Sequence, residues 1–275
     1  MKPAAFEYRR ASSIAEARAA MCDKGSPAKP IAGGQSLGPM LNLRLARPER
    51  LIDISGIDEL RRIEDCGAFV RLGAAVTHAR IEDELGAMAG MAPLARAARG
   101  IAYRAVRSRG TIGGSLAHAD PAADWPLVLA TLGATVLVEG ERGMRRIDAA
   151  AFMLGSYVTQ LGENELLTAV EVPRLSPGAR WSYRKFCRKA GEFAQAAAAV
   201  LLDPERRVAR VFIGAPADRP TSLPTLAGDI ARRGRDAIAG DRMEEALRDV
   251  LADAEPARRQ AGGVMLARAI DEVLA

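Results

Sequence analysis

Two short stretches decide how this chain reads: Arg109-Gly110-Thr111-Ile112-Gly113-Gly114-Ser115-Leu116-Ala117-His118-Ala119-Asp120-Pro121 and, earlier, Ala32-Gly33-Gly34-Gln35-Ser36-Leu37. Each leaves an apolar run, passes through a glycine pair and ends in a hydroxyl residue. Glycine lets the backbone reach positive φ and approach a ligand closely, and consecutive N–H groups at a helix start can cradle phosphate. Neither stretch is GxGxxG or a Walker loop, so neither a Rossmann fingerprint nor an NTPase motif applies. Two such turns together suit one extended dianion held from two sides, and a pyrophosphate fits. Asp124, nine residues beyond Ser115, is the first well-placed carboxylate for sugar or ribityl hydroxyls; the competing reading makes it the N-cap of a helix starting at Trp125.

Charge supports the anion reading. The chain carries 39 Lys and Arg against 34 Asp and Glu, and no acid occurs over 24–48, 85–119 or 172–191. The two glycine motifs lie in the first two of these windows. A carboxylate beside a phosphate in a dry cleft would cost free energy that solvent does not screen. Arg96–Arg109 and Arg180–Lys189 exceed what one pyrophosphate neutralises, so some of their charges are expected to face a partner.

Outward from the motifs the chain falls into three sections. Residues 1–57 alternate strand, helix, strand: Phe6 and Tyr8, a capping-box start at Ser13–Glu16, a strand at 29–32, helical spacing over Leu37–Leu45, and a strand at Leu51–Ile54. Residues 58–176 mix strands at 69–72, 135–138 and 165–172 with helices at 77–85, 93–99 and 124–132. Residues 177–275 change character, with strands at 181–187, 194–202 and 208–214 followed by charged helices near 242–251 and 256–274. That section predicts a three-stranded antiparallel sheet with a helical bundle.

Composition closes off other classes. The 275 residues are 49% hydrophobic and 4% aromatic, which fits a globular protein and argues against a base-stacking nucleic-acid binder. The longest nearly uncharged apolar runs, 126–138 and 193–202, are shorter than the ~20 residues of a membrane span. The start lacks a secretory core, so the expectation is a cytoplasmic protein, at most at the inner face of the membrane. Cys22, Cys66 and Cys187 are far apart and provide neither a disulfide framework nor an iron–sulfur site. His78 follows the cap Thr77 and reads as a surface or capping residue, whereas His118 sits within the second motif. Neither has partners at metal-ligand spacing.

The two glycine motifs together resemble the FAD-pyrophosphate signatures of the flavoprotein (medium) subunit of molybdenum hydroxylases, the xanthine dehydrogenase family. The similarity continues through Met1-Lys2-Pro3, Leu43-Arg44-Leu45-Ala46-Arg47-Pro48, Asp53-Ile54 and Lys185-Phe186-Cys187-Arg188-Lys189-Ala190-Gly191-Glu192-Phe193-Ala194. It implies an α+β fold: a two-part FAD-binding domain of the PCMH (vanillyl-alcohol-oxidase-like) type over 1–57 and 58–176, then a C-terminal sheet-plus-helices domain. It also implies that Ala32, Gly33, Gly34, Gln35, Ser36 and Leu37, with Thr111, Gly114 and Ser115, bind noncovalent FAD mainly at its pyrophosphate. By the same resemblance Asp124 is the ribityl-binding acid. Ile101 and Ala102 form the flavin-side loop, with His118 at the flavin edge. Leu161 or Leu166 contacts the adenine or isoalloxazine region, Lys185 is a cofactor-proximal lysine, and Phe193 stands where relatives place an aromatic over the flavin. Gln35 replaces a histidine common in carbon monoxide dehydrogenases, and Ser115 an Asn or Asp.

The resemblance further implies an oxidoreductase subunit without catalytic or metal-ligating residues of its own. Its partners would be a small [2Fe–2S] subunit and a large molybdopterin subunit, in a heterotrimer with or without further dimerisation. Two alternatives are a stand-alone FAD oxidase, for which 177–275 are small and highly charged, and a non-catalytic nucleotide-binding module.

Overall fold

The computed structural model describes residues 2–22 and 27–275. Met1, from the Met-Lys-Pro start, and residues 23–26, where the first acid-free window begins, lie outside the described residues.

The first section builds a parallel sheet. β1 (Glu7–Arg10), α1 (Ile14–Cys22), β2 (Ala28–Ile31), α2 (Leu37–Asn42) and β3 (Arg50–Asp53) follow in order, and the strands lie β1-β3-β2. Central β3 pairs with both neighbours, and Leu51 and Ile52 are buried. Parallel strands need crossovers, which α1 and α2 with their loops supply. The α2 helix is shorter than its spacing predicts. Arg44 turns left-handed at φ 58, and the N–H groups of Leu45 and Ala46 both return to the Met40 carbonyl.

The second section holds a five-stranded antiparallel sheet and six helices. In chain order these are β4 (Ile63–Asp65), β5 (Phe69–Gly73), α3 (His78–Glu84), α4 (Ala92–Arg99), α5 (Arg104–Arg107), α6 (Ile112–His118), α7 (Asp124–Leu132), β6 (Thr135–Gly140), β7 (Gly143–Asp148), α8 (Ala149–Phe152), β8 (Met153–Gly155), β9 (Val158–Thr159) and β10 (Leu166–Pro173). Strand order is β4-β5-β10-β6-β7, with β8 and β9 as a separate pair. β10 lies in the middle and is buried from Leu166 to Val172, with its one charge, Glu171, paired to Arg71 of β5 and Arg146 of β7. Edge strand β7 exposes Met144, Arg145 and Arg146. Its polar face is why no strand was expected there.

The third section is a four-stranded antiparallel sheet, β11 (Arg180–Phe186), β12 (Ala196–Asp203), β13 (Val208–Gly214) and β14 (Thr221–Ser222), carrying α9 (Pro224–Arg233), α10 (Arg242–Arg248) and α11 (Pro256–Leu274). This corrects the three-stranded expectation. Two-residue β14 pairs through Phe212↔Ser222 and Ile213↔Thr221, and is too short to show an alternation.

α7 joins the halves. Every residue of this helix is buried, so it has no solvent face. One side of β12 (Ala196, Ala198, Val200, Leu202) packs under α9–α11, while Ala197 and Ala199 on the other side meet Leu127 and Ala130 of α7. Alanine there lets helix and sheet approach closely, and a Cβ at Gly214 would lie 3.2 Å from Leu127.

Candidate functional site

A cleft of about 1430 Å3 runs between the three sections, and both glycine turns line it. Pockets for drug-sized ligands span ~300–1,000 Å3, so this larger cleft has room for a dinucleotide.

The first turn leaves β2 with Gly34 at φ +70, and Gln35 Nε2 donates to the Gly33 carbonyl at 3.2 Å. The backbone N–H groups of Gly33, Gly34, Gln35 and Ser36 have no acceptor among the described residues. Four unpaired donors beside a cleft suit a dianion. The second turn is built differently. Thr111 caps α6, its hydroxyl accepting from Gly114 N–H at 3.1 Å, while the N–H groups of Ile112 and Gly113 go to the Val76 and Ala74 carbonyls at 3.0 Å. The N–H groups of Ile112, Gly113 and the expected binder Gly114 therefore bind protein, leaving the Thr111 N–H and the Ser115 hydroxyl without a protein partner among the described residues. The turns meet directly: a Cβ on Gly33 would lie 1.9 Å from the Arg109 carbonyl oxygen. Gly33 is thus required for this backbone contact, and Gly34 for its left-handed φ.

Ile101 and Ala102 line the cleft, with Ala102 at φ 42. Arg107 holds this loop, its Nη1 donating to the carbonyls of Ile101 at 2.9 Å and Ala102 at 3.0 Å while its Nε meets Glu82 at 2.8 Å. From the other side Lys185 Nζ donates to the Gly100 carbonyl at 2.9 Å.

Asp124 lines the cleft and is the first residue of α7; the N-cap is Ala123, and no side chain caps the helix. The capping alternative is therefore wrong. Asp124 Oδ1 accepts from Tyr183 OH at 2.7 Å and Lys185 Nζ at 2.8 Å, whereas Oδ2 has no protein donor among the described residues. Burial and the adjacent carboxylate push the Tyr183 hydroxyl well above its ordinary pKa, so it remains a donor. Lys185 stands one contact further out. It does not line the cleft but sits behind it, 12% exposed and held between Asp124 and Gly100. Strand alternation places Tyr183 and Lys185 on one face, a signal that would have paired them.

Leu37, Ser115, Leu161, Leu166 and Phe193 line the cleft as expected, as does His118, whose ring lies 5.2 Å from that of Tyr157. Burial holds His118 below its ordinary pKa. His78 is not a surface or capping residue: it is 6% exposed, its Nδ1 accepts from Trp125 Nε1 at 3.0 Å, and burial lowers its pKa to about 4. Sequence pattern missed it because Trp125 lies 47 positions away.

The basic stretches are also largely neutralised from afar. Arg104 and Arg107 bind Glu82, Arg104 also binds Asp83, and Arg96 and Arg184 share Glu272. Only some cations of these stretches, such as Arg109, Arg180 and Lys189, have no acidic partner among the described residues.

Residues 4–175 match the family described as the FAD binding domain in molybdopterin dehydrogenase. The chain is 38% identical to the carbon monoxide dehydrogenase medium chain of Hydrogenophaga pseudoflava, covering 94% of this chain and 90% of that one. It is 42% identical to the nicotine 6-hydroxylase medium subunit of Paenarthrobacter nicotinovorans over 74% of this chain and 70% of the relative. Among solved structures, the carbon monoxide dehydrogenase from Hydrogenophaga pseudoflava that lacks the Mo-pyranopterin moiety superposes with a TM-score of 0.90 at 34% identity, covering 99% of this chain and 98% of that chain. Quinoline 2-oxidoreductase from Pseudomonas putida 86 gives 0.88 at 32%, covering 100% and 98%. The free donors, the glycine contacts and the cleft volume fit FAD, the cofactor named in the family description. The chain belongs to the FAD-binding domain family of molybdopterin dehydrogenases, as an oxidoreductase medium subunit of the carbon monoxide dehydrogenase type.

Proposed function

We propose that this chain is the electron-transfer subunit of a molybdenum hydroxylase, working with a small [2Fe–2S] subunit and a large molybdopterin subunit in the cytoplasm. FAD, when bound, supplies the redox centre that takes electrons from the partner's clusters and passes them to an external acceptor. The observation that carries this reading is the row of four unpaired N–H groups at 33–36 on a dinucleotide-sized cleft. The relatives named medium chain or medium subunit support the partnership. Among the described residues no group of three or more His, Cys, Asp or Glu is placed to hold a metal, and no helix is long and apolar enough to cross a membrane.

The chain's own residues bind and orient. Gly33 to Ser36 donate to the pyrophosphate, with the Thr111 N–H and Ser115 hydroxyl opposite. Asp124 Oδ2 accepts from a ribityl hydroxyl, while Tyr183 and Lys185 fix Oδ1. Arg107 and Lys185 hold the 100–102 loop against the flavin, and Leu161, Leu166, His118 and Phe193 complete the walls. Nothing in this arrangement requires an acid or base of this chain to touch the organic substrate. The test is an FAD titration of the purified chain, followed by fluorescence. Stoichiometric saturation is expected; a chain that neither retains nor binds FAD would overturn the reading.

A further inference from the structure

The indole N–H of Trp125 is donor-only, so the 3.0 Å bond to His78 Nδ1 requires that nitrogen to be the acceptor. In a neutral ring the proton then sits on Nε2. Burial keeps the ring neutral, and the nearby Arg107 cation acts in the same direction. Nε2–H has no acceptor among the described residues, yet the ring lines the cleft. With Nδ1 fixed by Trp125 and the Nε2 edge opening on the cleft, the ring presents one oriented, neutral donor to a ligand atom.

Gly110 explains how the ring edge stays open. A Cβ there would lie 2.9 Å from both Cδ2 and Nε2 of His78, so any side chain would cover the donor. The glycine carbonyl in turn accepts from the His78 backbone N–H at 2.9 Å, fixing the start of α3 against this turn. Gly110 stands between Arg109, whose carbonyl abuts Gly33, and Thr111, which caps α6. The edge of His78 therefore lies where the two glycine turns meet.

We propose that His78 is a cofactor-binding residue whose Nε2–H donates to an acceptor oxygen of the bound dinucleotide, with Trp125 setting the tautomer. The proposal rests on the FAD reading above. A neutral donor of this kind orients the ligand without adding charge.

The test uses the full chain with 15N-labelled histidine. With two histidines, only two imidazoles appear in the spectrum. One ring is expected to keep its proton on Nε2 and not on Nδ1 from pH 7 to 5, and its Nε2–H resonance should move when FAD is added. ADP alone moving it would place the acceptor on the ADP half of the cofactor; movement with FAD only would place it on the ribityl-flavin half. His78→Phe should weaken FAD binding about tenfold, the loss of one hydrogen bond, and His78→Gln, whose amide can reach the Nε2 position, should restore most of it. A proton found on Nδ1, or an Nε2–H resonance indifferent to saturating FAD, overturns the proposal whatever the variants do. A wild-type chain that binds no FAD would instead overturn the functional reading beneath it.

Discussion

Removing the Asp124 carboxylate would leave Lys185 and Tyr183 facing each other with no acceptor between them. Stranding a buried cation in this way costs about 3–5 kcal/mol, more than the loss of one ligand hydrogen bond. Asp124→Ala should therefore lower the urea-derived unfolding free energy by roughly that amount, besides weakening FAD binding. A loss below about 1 kcal/mol would show that the pair is not desolvated as its 6% and 12% side-chain exposures indicate. His78 gives a second residue-scale expectation. Its folded pKa of about 4 lies below the ordinary 6.5, so the unfolded chain takes up the proton first as pH falls. Stability from this group is complete above pH 6.5 and is lost progressively down to about 4, by about 3 kcal/mol, with His118 adding in the same direction. His78→Gln should flatten the pH dependence of unfolding over that window. An unchanged slope would mean that the ring is not held neutral by the fold.

At the level of elements, α7 packs on β12 through small side chains, where Ala197 and Ala199 face Leu127 and Ala130. Ala199→Leu should overpack this seam and cost about 1–3 kcal/mol in thermal or urea unfolding. Ala209→Leu on neighbouring β13, at a partly exposed position, should cost less; equal losses would contradict the seam as described. These elements also show what was legible in the sequence. α7, β10 and β12 were readable because length, apolar run and flanking turns agreed. Strands β4, β7 and β14 were not, because short or edge strands carry little hydrophobic period. Both glycine turns were visible as motifs, yet their division of labour was not: only tertiary placement shows that Ile112 and Gly113 N–H bind Val76 and Ala74. The same holds for Arg104 and Arg107, whose acidic partners Glu82 and Asp83 lie outside their acid-free window. Lys185 was identified, but its position behind the cleft depends on Gly100 and Asp124, 85 and 61 residues away.

For the whole molecule, the cleft depends on all three sections at once. β2 supplies the first turn, α6 the second, and β11, through Tyr183 and Lys185, the support for Asp124 and the 100–102 loop. Glu272 of α11 reinforces this by accepting from Ser182 of β11 and pairing with Arg96 of α4 and Arg184. On the proposed function, these three sections hold FAD for electron transfer, and the substrate is oxidised on a partner subunit. The most direct measurement is anaerobic bleaching of the flavin absorbance in the purified, FAD-loaded chain, followed with the holoenzyme's organic substrate or carbon monoxide. Without partners the absorbance should not change, and it should bleach once the [2Fe–2S] and molybdopterin subunits are added. Bleaching by substrate in the single chain would contradict the account.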